Sequence, residues 1–265
     1  MHYRTNSTVY DVGSVTHPGK VRRRNEDSCL VRTDTGMWAV ADGMGGHDAG
    51  DVASRTVIEA LDAVHQPNSA SELLEQCRAQ MLKANTQIAA LSKARNGTTI
   101  GTTVAVLLIR DDHFACIWAG DSRIYRATGE TISQLSLDHT EVQELVARGT
   151  VSPDEAKYLP NNIITRAIGV APEPDLDIVT GAVDAGDIFI LCTDGLTRHL
   201  KDGEIHRAVT AHGAQDACEA MLALALQRGG HDNVTAVVVR TQMSPKRSSE
   251  TTISPLIRPV PGARS

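Results

Sequence analysis

Four acids stand at the edges of strongly apolar runs. Trp38-Ala39-Val40-Ala41 leads into Asp42-Gly43, Ile117-Trp118-Ala119-Gly120 into Asp121, and Ile188-Phe189-Ile190-Leu191-Cys192-Thr193 into Asp194-Gly195. Asp232 follows Gly229-Gly230-His231 and precedes Asn233-Val234-Thr235-Ala236-Val237. Carboxylates at the tips of buried strands lose hydration and repel one another, so gathering several is unfavourable unless a cation lies among them. A hard divalent ion such as Mg²⁺ or Mn²⁺ meets that need. It prefers oxygen ligands, keeps several waters, and can take a backbone carbonyl where a glycine permits close approach. One Asp-Gly alone is ordinary turn chemistry; the recurrence points to a metal. Upstream, Arg22-Arg23-Arg24-Asn25-Glu26-Asp27 sets three cations before two acids. Arginine suits bidentate recognition of phosphate, although a solvated charge run reads equally well from these residues alone.

Other chemistries fail on spacing. Gly43-Met44-Gly45-Gly46-His47-Asp48 would need its third dinucleotide-binding glycine at Asp48. Gly19-Lys20 is followed by Val21, and Ser14 stands where a P-loop needs its first glycine. Neither a G-x-S-x-G elbow nor an H-E-x-x-H run is present.

The elements that must position the acids are mostly short strands. Residues 27–33, 37–41, 102–109, 114–119, 123–127, 131–135, 176–183, 188–193 and 233–240 read as strands. Ala49, Val52, Ala53, Thr56, Val57, Ala60, Leu61 and Val64 form one apolar helical stripe, and Leu73, Cys77, Met81, Ala84, Ile88 and Leu91 a second. A third helix is expected over about 216–227, apolar almost all round and so buried. Successive strands with short breaks imply antiparallel meanders rather than βαβ units. The expected fold class is α+β, a sandwich with helices on its sheet faces.

With 265 residues, one large domain or two small ones is expected. The five cysteines include no C-x-x-C pair and read as small core residues. The segment 243–265 is rich in Pro, Ser and Arg and is expected to be a disordered tail of charge +3, leaving −9 on residues 1–242. That acidity, with 3% aromatic residues, argues against nucleic-acid binding. The longest uncharged stretch, 96–109, is 14 residues, too short to span a membrane. No signal peptide is visible, so a cytoplasmic location is expected.

Seven ordered motifs carry a resemblance. Arg22-x-x-Asn25-Glu26-Asp27, Ala41-Asp42-Gly43-Met44-Gly45-Gly46-His47-x-Ala49-Gly50, Gly101-Thr102-Thr103, Ala119-Gly120-Asp121-Ser122-Arg123, Ser136-x-Asp138-His139, Thr193-Asp194-Gly195-Leu196 and Gly229-Gly230-His231-Asp232-Asn233-Val234-Thr235 span most of the chain. Together they resemble the protein phosphatase 2C family, most of all its compact bacterial members. The resemblance implies two antiparallel sheets flanked by α-helices in four αββα layers, one catalytic domain over 1–242, and two divalent ions, Mn²⁺ or Mg²⁺. It implies that Asp42 bridges both ions, that the Gly43 carbonyl binds one, that Asp194 and Asp232 hold the other, and that Glu26 acts through water. Asp121 matches a third, weaker metal position, Arg22 the arginine that binds substrate phosphate, and about 138–169 a mobile flap governing substrate preference. Met44 occupies the place of a histidine proposed elsewhere in the family as general acid; His47 is a candidate nearby.

The implied activity is hydrolysis of phosphoserine and phosphothreonine in proteins by direct attack of a metal-bridging hydroxide, with no phospho-enzyme, reversing a Ser/Thr kinase. A monomer is expected. Two other readings are a catalytically silent member that binds or senses phosphoproteins, and a hydrolase of small phosphate compounds, which would need a closed pocket.

Overall fold

Both faces of the central strands are buried, which is why they read as nearly unbroken apolar runs. The computed structural model describes residues 3–5, 8–45, 49–156, 158–159 and 163–243. In chain order its elements are β1 (Tyr3–Thr5), β2 (Thr8–His17), β3 (Asp27–Arg32), β4 (Met37–Gly45), α1 (Gly50–Asp62), α2 (Ala70–Ala94), β5 (Ile100–Thr102), β6 (Val104–Arg110) and β7 (His113–Ala119). There follow β8 (Arg123–Ala127), β9 (Ile132–Gln134), α3 (Glu141–Ala147), α4 (Pro153–Ala156), β10 (Asp177–Ala182), β11 (Ile188–Cys192), α5 (Asp194–Thr197), α6 (Asp202–Ala211), α7 (Ala214–Gln227) and β12 (Val234–Met243).

One sheet has the order β1-β2-β12-β11-β8-β9, the other β10-β7-β6-β4-β3 with β5 on the end of β4. The pairings are antiparallel, so meanders prevail as expected. Side-chain alternation sorts the core into three apolar layers. Met37, Ala39, Val104 and Val106 pack on Val57, Leu61, Leu73 and Met81 of α1 and α2. Trp38, Val40, Leu107 and Ile109 meet Phe189, Leu191, Val237 and Val239 between the sheets. Ile188, Ile190, Ala236 and Val238 pack on Val209, Ala217, Cys218 and Met221 of α6 and α7. The result is the four-layer αββα sandwich. Cys77, Cys116, Cys192 and Cys218 are buried and Cys29 half-buried, all as free thiols.

Several expectations are corrected. Strand β4 does not stop at Ala41 but runs through Asp42 to Gly45, because β5 folds back on it and pairs Gly43 with Thr102. The run 102–109 is two strands, broken at Thr103. Helix α7 is buried on one face only, through Ala214, Ala217, Cys218, Met221 and Ala225; Leu222, Leu224 and Leu226 are half-buried. Helices α3 and α6 carry few buried residues (Val142; Ile205 and Val209), too few to print an apolar period. The expected tail begins with Met243, which ends β12; residues 244–265 lie outside the described residues.

Strand β2, unpredicted, pairs with β12 over ten residues. Asp11 and Gly13 weaken its strand signal but dock α7. The Ala214 N–H donates to Asp11 Oδ2 at 3.1 Å, and a Cβ on Gly13 would lie 2.4 Å from the backbone of Ala214 and Gln215. Alanine in a strand ordinarily does no harm, but Gly13→Ala must push α7 off the sheet. We expect it to cost about 1–3 kcal/mol in urea unfolding, the range for an overpacked core. An unchanged midpoint would show that α7 does not depend on this close approach.

Candidate metal centre

The layer between the sheets ends in polar groups. Alternation that directs Trp38 and Val40 inward continues to Asp42, whose strand partner is Asp27. On the facing sheet the same alternation reaches Thr193 and Thr235. Asp27 Oδ2 accepts hydrogen bonds from Thr193 Oγ1 at 2.8 Å and Thr235 Oγ1 at 2.7 Å, tying the sheets together at this end. Burial, opposed by those two bonds and reinforced by Asp194 and Asp232, pushes the Asp27 carboxyl up to about 7.

The peptide of Asp42 is gripped on both sides. Its N–H donates to Thr103 Oγ1 (3.0 Å), and its carbonyl accepts from Thr103 N (2.9 Å) and Thr102 Oγ1 (2.9 Å). Burial and the charges of Asp27, Asp194 and Asp121 hold its carboxyl well above the usual carboxylate range. The glycines after the acids are sterically required. A Cβ on Gly43 would lie 1.9 Å from the Gly50 carbonyl oxygen, and one on Gly195 would lie 1.8 Å from that of Asn233.

Asp121 is 6% exposed, and burial with the charges of Asp194 and Asp138 pushes its carboxyl up to about 7. It lines a cleft of about 180 Å³ with Arg123, Asp138, Asp194, Thr197 and Arg198. Asp194 opens α5; burial raises its carboxyl while Arg198 opposes the rise. Asp232 receives a fork from Arg22, Nε to Oδ1 and Nη2 to Oδ2, each 3.0 Å, and a further bond from Arg198 Nη1 at 2.9 Å. Glu26 accepts from the Gly50 N–H at the start of α1, and burial outweighs Arg22 to raise its carboxyl.

The structure therefore gathers Arg22, Glu26, Asp42, Gly43, Asp121, Asp194 and Asp232 at one end of the sandwich. Arg22 apart, these residues offer only oxygens, which suit a hard divalent ion; Asp121 Oδ1 and Asp194 Oδ1, with Asp27 Oδ1 of the neighbouring strand, are buried without a hydrogen-bond partner. The Gly43 carbonyl and Glu26 Oε1 converge, 2.7 and 2.5 Å from where a Cβ on Gly50 would sit. Among the described residues no three carboxylates, imidazoles or thiols close round a single point, and Arg198 stands between Asp194 and Asp232. His47 lies outside the described residues.

Three contributors escaped the sequence reading. Asp27 sits in a quoted motif, yet only its pairing with Asp42 exposes its part. Arg198 is four residues beyond Asp194, a helical spacing that could have flagged it. Asn233 accepts from Glu26 N (2.8 Å) and donates to Pro18 O (3.0 Å) and Arg24 O (2.8 Å), pinning the loop that carries Arg22.

Known proteins are similar to this chain in sequence and in fold. A sequence profile of protein phosphatase 2C matches residues 20–228. The Ser/Thr protein phosphatase PstP of Mycobacterium tuberculosis is 37% identical over 223 residues, 83% of this chain and 43% of PstP, so the chain spans less than half of that relative's length. The protein phosphatase PhpP of Streptococcus pneumoniae is 34% identical over 237 residues, 86% of this chain and 96% of PhpP. The crystal structure of the PstP catalytic domain in complex with 2 manganese ions superposes with a TM-score of 0.79 at 34% identity, covering 89% of this chain and all of that one. With the motifs in order, the αββα sandwich in place and the acids assembled at its end, the chain belongs to the protein phosphatase 2C family.

Proposed function

We propose that the chain hydrolyses phosphoserine and phosphothreonine in proteins, using two divalent ions, Mn²⁺ or Mg²⁺. The observation that carries this reading is the set of buried, partnerless carboxylate oxygens at the end of the inter-sheet layer. The manganese-bound PstP catalytic domain supports it. We assign Asp42 to both ions, the Gly43 carbonyl to one, Asp194 and Asp232 to the other, Glu26 to a contact through water, and Asp121 to a third, weaker position. Bound there, divalent ions would lower the pKa of a water and offset the charge on the phosphoryl group.

The chain's own groups supply the rest. Arg22 is 52% exposed, and its fork, now on Asp232, matches a phosphate dianion equally well. It offsets the repulsion between that dianion and a body of charge −9. Thr102 and Thr103 fix Asp42 through its peptide, and Asp27 holds the two sheets at the spacing the acids need. Met44 has no proton to give, so the leaving oxygen is protonated by another group. Substrate preference is assigned to residues 138–169, where Tyr158, Leu159 and Ile163 stand exposed beside α3 and α4.

The catalytic unit is assigned to 1–242, with 243–265 as an appended segment. Among the described residues no helix is long and apolar enough to cross a membrane. A cytoplasmic monomer opposing a Ser/Thr protein kinase is the cellular setting we infer.

Purified protein should release phosphate from a phosphothreonine peptide with Mn²⁺ and not in EDTA. Asp194→Asn should lower turnover by about 10²-fold or more, since even residues behind metal ligands cost up to that much. Turnover that survives EDTA or the substitution would overturn the assignment. A second expectation concerns Asp27. Folded, its carboxyl titrates near 7, against about 3.9 in the unfolded chain. Its stabilising contribution is therefore complete below about pH 4 and is lost as pH rises through 7. In EDTA, Asp27→Asn should gain stability over the parent by up to about 1.4 kcal/mol per pH unit across that window. A gap that stays constant with pH would show that Asp27 is ionised throughout.

A further inference from the structure

Arg198 bridges two of the acids assigned to metal. Its Nη2 pairs with Asp194 Oδ2 and its Nη1 with Asp232 Oδ2 at 2.9 Å. The two carboxylates are 13% and 16% exposed, whereas Arg198 is 47% exposed. The guanidinium thus reaches in from solvent and can withdraw to it without opening the core. Among the described residues, its side-chain ion pairs go to these two carboxylates. Arg22 also holds Asp232, through both of its oxygens, so that acid stays partly neutralised when Arg198 leaves. A divalent ion on Asp194 and Asp232 would compete with Arg198 for the charge of both carboxylates, one oxygen of each being held by the guanidinium.

We propose that Arg198 is the resident counter-ion of the Asp194–Asp232 pair, displaced when a divalent ion binds there, and that it thereby sets the affinity of that metal position. The inference rests on the metal assignment made above. By linkage, whatever Arg198 contributes to the metal-free protein is subtracted from metal binding. Exposed ion pairs contribute little, and two part-buried carboxylates on one guanidinium contribute somewhat more. Removing the guanidinium should tighten divalent binding by about three- to tenfold.

Calorimetric titration of Mn²⁺ into the EDTA-stripped full chain tests this, with Arg198→Gln, Arg198→Lys and Asp232→Asn alongside the parent. Arg198→Gln should tighten one binding step and lower the melting temperature in EDTA while leaving it unchanged in saturating Mn²⁺. Lysine keeps the charge but cannot fork across both acids, so Arg198→Lys should fall between, and it carries the test if the glutamine variant does not fold in EDTA. Equal or weaker Mn²⁺ binding by Arg198→Gln, or by Arg198→Lys in its place, with binding lost in Asp232→Asn, would overturn the role of Arg198 and leave the metal assignment standing. If the parent binds no Mn²⁺, or Asp232→Asn binds it as the parent does, the metal assignment fails and this inference with it.

Discussion

Five carboxylates driven into one end of a sandwich repel one another more strongly than they would in water, and the local structure is arranged around that cost. Asp27 and Asp42 face each other across β3 and β4, and Asp121, Asp194 and Asp232 approach from β7, α5 and the start of β12. Asp27 is hydrogen-bonded by two threonines, and Asp232 is placed against two arginines. What is left over is a set of buried oxygens that no protein group meets. A site of this kind is stable in proportion to the positive charge it receives, so its affinity for divalent ions and its strain without them share one cause.

The layered core was legible because it follows from side-chain period. Nearly unbroken apolar runs implied the buried strands, and the stripes from Ala49 and from Leu73 implied helices to cover them. Four of the acids were legible as well, since Asp42, Asp121 and Asp194 close such runs and Asp232 precedes one; the part of Asp27 was not. What escaped was set by partners far away in the chain. Strand β2 carries Asp11 and Gly13, poor strand residues whose purpose is to dock α7. Strand β4 outlasts its apolar run because β5, more than 50 residues later, pairs with Gly43 to Gly45. Asn233 stands in a motif as the neighbour of Asp232, but nothing in that motif says that its amide holds a loop some 210 residues away.

The placement of the acids ties the site to the closure of the whole fold. Glu26, Asp27 and Asp42 come from the first 45 residues; Asp194 and Asp232 come from the last third of the chain. They meet only when β12 pairs with β2 and the Asp27 carboxylate reaches Thr193 and Thr235, 166 and 208 residues away. Charge repulsion opposes that meeting, and the ten-residue register of β2 with β12, packed on Phe189, Leu191 and Trp38, outweighs it. A cation that binds the assembled acids removes part of the opposing term and favours the closed sandwich by mass action. Binding at the site and packing of the sheets are therefore two readings of one equilibrium. A substitution anywhere along the inter-sheet layer should reach the acids through the spacing that Asp27 spans, before any residue that touches substrate is altered.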